Sequence, residues 1–141
     1  MLCLSDGLLA QCGIDLDTHR GEIAAGNLSA LRGCPFVLGS AEDIGGRIGR
    51  GLLRSSGVSP VSKATSENVE TLLALCEQGV GACFCPENLL HTALSPEQLA
   101  HLHILPLCPE ASYPICFGYL SRSYPWSVLS EFIRIAREQT A

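Results

Sequence analysis

Apolar residues recur along this chain in two rhythms, one matching a helix face and one matching buried strands. Val69, Leu72, Leu73 and Cys76 fall at i, i+3, i+4 and i+7 while Glu70 and Glu77 lie off that stripe, which predicts a packed amphipathic helix. Ser66 is placed to cap it, Glu67 and Glu70 suit its positive end, and Gly79 stops it because glycine tolerates the left-handed conformation that ends helices. Val80 to Cys85 then runs without charge between Gly79 and Pro86 and reads as a buried strand. Upstream, Pro35 to Leu38 reads as a strand and Gly39-Ser40 as a turn, while Ser40-Ala-Glu-Asp43 has the form of a capping box. Ile44, Ile48 and Leu52 recur every four residues and predict a helix. Gly45, Gly46, Gly49 and Gly51 each cost that helix about 1 kcal/mol relative to alanine. It therefore draws on packing, and either frays or needs those glycines for close approach.

The remaining pattern fills out the same alternation. Met1 to Leu4 is apolar enough for a strand, Ser5 to Asn27 reads as an irregular connection with one turn of helix, and Leu28 to Gly33 as a short helix. Val58 to Ala64 is the next strand, and Glu87 to Ala93 a short helix. Ser95-Pro-Glu-Gln98 is a second capping box, with proline at the first helical position. His103 to Leu107 and Tyr113 to Leu120 read as strands whose prolines place them at edges or strand starts. A final helix begins at Pro125, with Trp126, Leu129, Ile133 and Ala136 on its apolar face and Glu131, Arg134 and Arg137 on its wet one. Strand and helix thus alternate from Pro35 to Leu107, the signature of β-α-β units: an α/β fold with a mainly parallel sheet flanked by helices.

Composition narrows the functional classes. A chain of 141 residues suits one domain burying roughly 68% of its unfolded surface, and 47% hydrophobic residues with a mean hydropathy of +0.26 exclude a disordered tail. The longest stretch without Asp, Glu, Lys or Arg, Gln98 to Pro109, is shorter than the ~18 residues a membrane span needs, so no membrane partner is expected. Met1 to Gly13 lacks a basic residue ahead of its apolar part, which argues against a secretory signal. Nine basic against 14 acidic residues give a net charge of −5, opposite to a nucleic-acid surface. Arg47, Arg50 and Arg54, at i, i+3 and i+7, read as a solvated helix face. Eight cysteines without a C-x-x-C pair point to buried free thiols in a reducing cytoplasm, with no metal and no cofactor. Cys83 and Cys85 would share one strand face; His101 and His103, also two apart, lack a third ligand and read as surface or half-buried histidines at a strand edge.

Two corners carry candidate chemistry. In open α/β sheets ligands collect beyond the carboxyl ends of strands, where helix N-termini present free N–H groups. Gly39-Ser40 follows the first strand and Thr65-Ser66 the second, so their hydroxyls would sit side by side if both strands run in one direction. Ser40 and Ser66 are equally explained as helix caps, whereas Thr65 would stand just outside the cap and reach a ligand. For catalysis there is no G-x-S-x-G, P-loop, H-E-x-x-H or G-x-G-x-x-G; Glu87 and His91, at i, i+4, are the one acid-base pair, and a surface pair is the plainer reading.

The stretch from Glu70 to Glu87, ETLLALCEQGVGACFCPE, resembles a segment of bacterial LysR-type transcriptional regulators written roughly E-T-L-x-x-L-V-x-x-G-x-G-[IV]-x-x-x-P-E. Leu31 to Leu38, LRGCPFVL, resembles the strand opening that lobe, and Arg122 to Glu138 the closing helix. The resemblance covers Leu28 to Glu138. It implies a periplasmic-binding-protein-like lobe: 1–27 a connection from a truncated first lobe, 28–112 the second lobe of an effector-binding domain, and 113–141 the return strand and closing helix of the first. It further implies a small-molecule effector, in this family often a carboxylate or oxyanion, held near Gly39, Ser40, Thr65 and Ser66. Glu67 departs from what an anion site wants, with Lys63 as its offset. DNA would be met only through a helix-turn-helix domain absent from this chain. With half of the cleft missing, effector binding would be weak or absent, and Trp126, Leu129, Phe132 and Ile133, left uncovered, would favour a homo-oligomer. Alternatives are an extracytoplasmic solute-binding lobe, which a count of free thiols would separate, and a small α/β enzyme using Glu87 and His91.

Overall fold

The computed structural model describes residues 1–114, 116–120 and 126–140. Its first strand, β1 (Leu2–Ser5), is wholly buried and lies in the middle of a sheet. It pairs antiparallel with β4 (Cys83–Phe84) on one side and with β5 (Leu102–Leu105) on the other. A second pair, β2 (Pro35–Gly39) and β3 (Val61–Ser66), is parallel, with Leu38 opposite Thr65 and Gly39 opposite Ser66. The two pieces are stitched together where Val37 N–H donates to the Ala82 carbonyl and Ala82 N–H to the Pro35 carbonyl, both at 2.9 Å. Strand order is therefore β5-β1-β4-β2-β3, with β1 alone running against the other four. The expected α/β class holds, but the sheet is mixed instead of mainly parallel, because β1 runs antiparallel between β5 and β4.

Side-chain alternation along these strands separates two cores, one on each face. Leu2, Leu4, Phe36, Leu38 and Leu105 meet Leu8, Leu16, Ile23 and Leu53 on one face. On the other, Cys3, Val37, Cys83 and Leu102 meet Leu72, Leu73, Cys76 and Leu90. The first face is covered by α1 (Asp6–Cys12), α2 (Leu16–Ala24) and α3 (Ile44–Ser55). α4 (Val69–Glu77) and α5 (Glu87–Ala93) cover the second, with Leu99 of α6 (Pro96–Ala100) at its margin.

Several expectations are corrected here. Ser5 to Asn27 is not an irregular connection: Ser5 accepts from Leu8 N–H and Asp15 from Asp17 N–H, so each starts a helix, and Leu8, Leu16 and Ile23 bury themselves in the first core. The polar and glycine-rich composition of that stretch hid two short helices, each with only one or two buried residues. Leu28 to Gly33 forms only a 3-10 turn at Ser29–Leu31. β3 starts at Val61, not Val58, since Val58 folds back to donate its N–H to Leu53. The strand expected from Val80 shortens to Cys83–Phe84, Ala82 making a single bridge. Tyr113 to Leu120 is no strand among the described residues, and Ile115 falls outside them. Pro125 also lies outside them; the last helix, α7, is Ser127–Thr140. On it Trp126 (just ahead), Val128, Phe132 and Ile135 are exposed, and Arg134 pairs with Glu131 and Glu138. Ser95-Pro-Glu-Gln98 is the capping box expected, with reciprocal bonds of 3.3 and 3.0 Å.

Glycine placement explains how the layers close. A Cβ on Gly81 would sit 2.8–3.0 Å from the Phe36 backbone, so only glycine allows the Ala82 bridge to form. One on Gly49 would run into the Phe84 ring, which lies against α3 and parallel to Phe36 at a centroid distance of 6.2 Å. Gly51, by contrast, faces open space. All eight cysteines are free, five of them buried, and Cys34 Sγ lies 2.9 Å from Cys12 Sγ. Burial pushes the Cys85 thiol up to about 12 and raises Cys34 too, the latter reinforced by Cys12.

Two outcomes follow. Gly49→Ala should lower stability in urea unfolding by about 1–3 kcal/mol through overpacking, while Gly51→Ala should raise it by about 0.5–1 kcal/mol. The raised Cys85 value keeps its thiol protonated in the fold where the unfolded chain ionises, so its contribution is complete below pH ~9 and is lost as pH climbs toward about 12. Urea midpoints measured in steps across that window should fall, and less steeply in Cys85→Ala.

Candidate functional site

β2 and β3 end flush, because their parallel register pairs Gly39 with Ser66. Just beyond these ends start α3 and α4, and between them lies a cavity of about 190 Å³. Gly39, Gly45 and Gly46 form one wall and Ser66 with Val69 another; Leu72, Phe84 and Leu89 provide apolar surface, with Pro86 and Tyr113 completing the lining. Its charged members are Asp43 and Glu67. This is smaller than the ~300–1,000 Å³ of drug-sized pockets and suits a small metabolite or one end of a larger one.

The local bonding of both corners differs from the capping roles expected of the two serines. Asp43, not Ser40, caps α3: its Oδ2 accepts from Gly46 N–H at 3.0 Å, while Ser40 Oγ accepts from Glu42 N–H at 3.3 Å in a tight turn. Asn68, not Ser66, caps α4 through Thr71 N–H at 3.2 Å, while Ser66 Oγ accepts from Asn68 N–H at 3.1 Å. Each corner offers two capable side chains, and the helix starts after the second because the first is spent on the preceding turn. A Cβ on Gly46 would strike the Ser40 carbonyl oxygen and approach Gly39 C and O at 2.9 Å, so the first turn of α3 is pressed onto the end of β2.

Of the four candidate residues, Gly39 and Ser66 line the cavity and Ser40 and Thr65 do not. Thr65 is a strand residue, not one outside the cap; exposed, it shares with Leu38 the face covered by α3. The parallel direction that would bring Ser40 and Thr65 to one rim is present. Arg50 does not belong to a solvated face as Arg47 and Arg54 do: half-buried, its Nη2 donates to the Gly39 carbonyl at 2.9 Å, and its buried Nε has no partner. This bond ties the end of β2 to α3. Sequence reasoning missed Asp43, Gly46, Phe84 and Tyr113 as wall residues; the adjacent glycines Gly45 and Gly46 at a helix start were the available signal for the second.

Other candidates do not assemble. Glu87 and His91 are both exposed on α5, and no hydrogen bond joins them among the described residues. His103 Nε2 lies 2.7 Å from Asp6 Oδ1, at the surface, while His101 ends α6. Among the described residues no group of three or more His, Cys, Asp or Glu could hold a metal, and no helix is long and apolar enough to cross a membrane. A larger hollow of about 550 Å³ lies between Met1, Pro86 and the Pro106–Tyr113 segment; exposed Glu87, Asn88, Pro106 and Ser112 border it, and it contains none of the strand-end residues.

Compared with known proteins, no curated protein and no solved structure matches the chain. The model of one family, the LysR substrate binding domain, matches residues 19–141. That family is a regulatory ligand-binding domain, not a family of enzymes. A match over so much of the chain, on a mixed α/β fold with a cavity at its strand ends, shows that this chain belongs to the LysR substrate binding domain family.

Proposed function

We propose that the chain is the effector-sensing part of a LysR-type transcription regulator acting in the cytoplasm. A small effector sits in the cavity at the ends of β2 and β3, walled by Gly39 and Ser66, with Ser40 and Thr65 as their neighbours in the chain. The observation that carries this reading is the in-register ending of two parallel strands between two helix starts, which leaves a walled cavity where α/β sheets take ligands. The second lobe extends from β1 to Ser112, earlier than Leu28, since Leu2, Leu4, Leu8, Leu16 and Ile23 share a core with Phe36 and Leu38. Residues 113–141 lead to the first lobe, with α7 as its closing helix. Effector binding shifts the relation of the lobes, and through it a DNA-bound oligomer whose helix-turn-helix lies outside this chain.

A saturating effector should raise the melting temperature by several degrees, as 100-fold excess over Kd contributes about 2.7 kcal/mol. Leu89→Trp, which fills the cavity, should abolish that rise. Ligands found by such a screen that ignore Leu89→Trp would place the effector elsewhere. Exposed Trp126 and Phe132 should also drive self-association. Sedimentation equilibrium should show oligomers that the double change Trp126→Ser with Phe132→Ser shifts toward monomer; a wild-type monomer at high concentration would contradict it.

A further inference from the structure

We propose that the effector is an organic amine, its ammonium group set against Asp43 and Glu67 and its apolar body against Leu72, Phe84 and Leu89. This rests on reading the strand-end cavity as the effector site. The lining contains two carboxylates and no Lys, Arg or His. Arg50 donates to the Gly39 carbonyl from behind the wall, and Arg47 and Lys63 are exposed and stand outside the lining. Helix starts normally favour anions, but here Asp43 occupies the Gly46 N–H and Asn68 the Thr71 N–H. Two helix N-termini contribute roughly half a positive charge each, about +1 together, against −2 from the carboxylates, which leaves the cavity about one charge negative. Asp43 uses only Oδ2 in its cap, and Glu67 makes no side-chain hydrogen bond among the described residues, so both retain oxygens for a donor. A bare metal ion fits poorly, because among the described residues no third His, Cys, Asp or Glu joins the two carboxylates. A carboxylate or oxyanion effector would face like charge with no cation among the lining residues.

Three probes of one shape separate the possibilities: 2-phenylethylammonium, 2-phenylethanol and 3-phenylpropionate, titrated into the ¹⁵N-labelled chain. The ammonium should shift the amide signals of Gly39, Gly45, Gly46 and Ser66 and bind about tenfold tighter than the alcohol, with the carboxylate weakest. Asp43→Asn, which keeps a capping side chain, and Glu67→Gln should each erode that preference, as should about 0.5 M salt. Phenylpropionate binding as well as the ammonium would overturn the amine assignment while leaving the effector site standing. Equal affinity in wild type and both variants would also overturn it. Failure of all three probes to move those four signals would remove the effector-site reading and this inference together.

Discussion

Two backbone hydrogen bonds, Val37 to Ala82 and Ala82 to Pro35, hold the architecture together. They are the seam between a three-stranded antiparallel piece and a two-stranded parallel one. Without them the β2 and β3 ends would not stand beside Phe84 and Pro86, and the cavity would lose a wall. The seam imposes its own demand: the backbones approach so closely at Gly81 that any side chain there would meet Phe36. Phe84 then reaches across to the face of Gly49, so sheet and α3 are joined by a ring lying where a side chain is missing. A helix rich in glycine is intrinsically weak. Here Gly46 and Gly49 exchange that propensity for contact with β2 and with Phe84.

Much of this was legible in the sequence, and the failures have physical causes. The α4 stripe of Val69, Leu72, Leu73 and Cys76 and the stop at Gly79 are as the periodicity predicts, with Gly79 at φ +75°. Cys83 and Cys85 do share a face, in the second core. What the sequence concealed were choices between near-equivalent caps: Ser40 against Asp43, and Ser66 against Asn68. Such competition is decided by where the strand releases the chain, which is a tertiary fact. The amino-terminal stretch was misread for a different reason. α1 and α2 are short and offer one or two buried residues each, too few to establish a period.

The cavity was half visible. Strand ends followed by polar corners pointed to Gly39 and Ser66, which line the cavity, but the walls from Phe84, Pro86, Leu89 and Tyr113 are distant from them in sequence. Thr65 lies within the strand because β3 continues two residues beyond Ala64, and a strand residue must obey the alternation of faces. Arg50 shows the same limit: an arginine at helical spacing with two solvated neighbours turns inward because the Gly39 carbonyl needs a donor at the sheet margin.

The place of β1 between β4 and β5 bears on how the chain is made. Its partners lie some eighty to one hundred positions downstream, Leu2 facing both Phe84 and Leu105. During synthesis β1 leaves the ribosome ahead of every other strand described, and waits for nearly the whole lobe before either of its edges is satisfied. Such non-local closure is slow, and a buried apolar strand left open meanwhile is a natural target for chaperones.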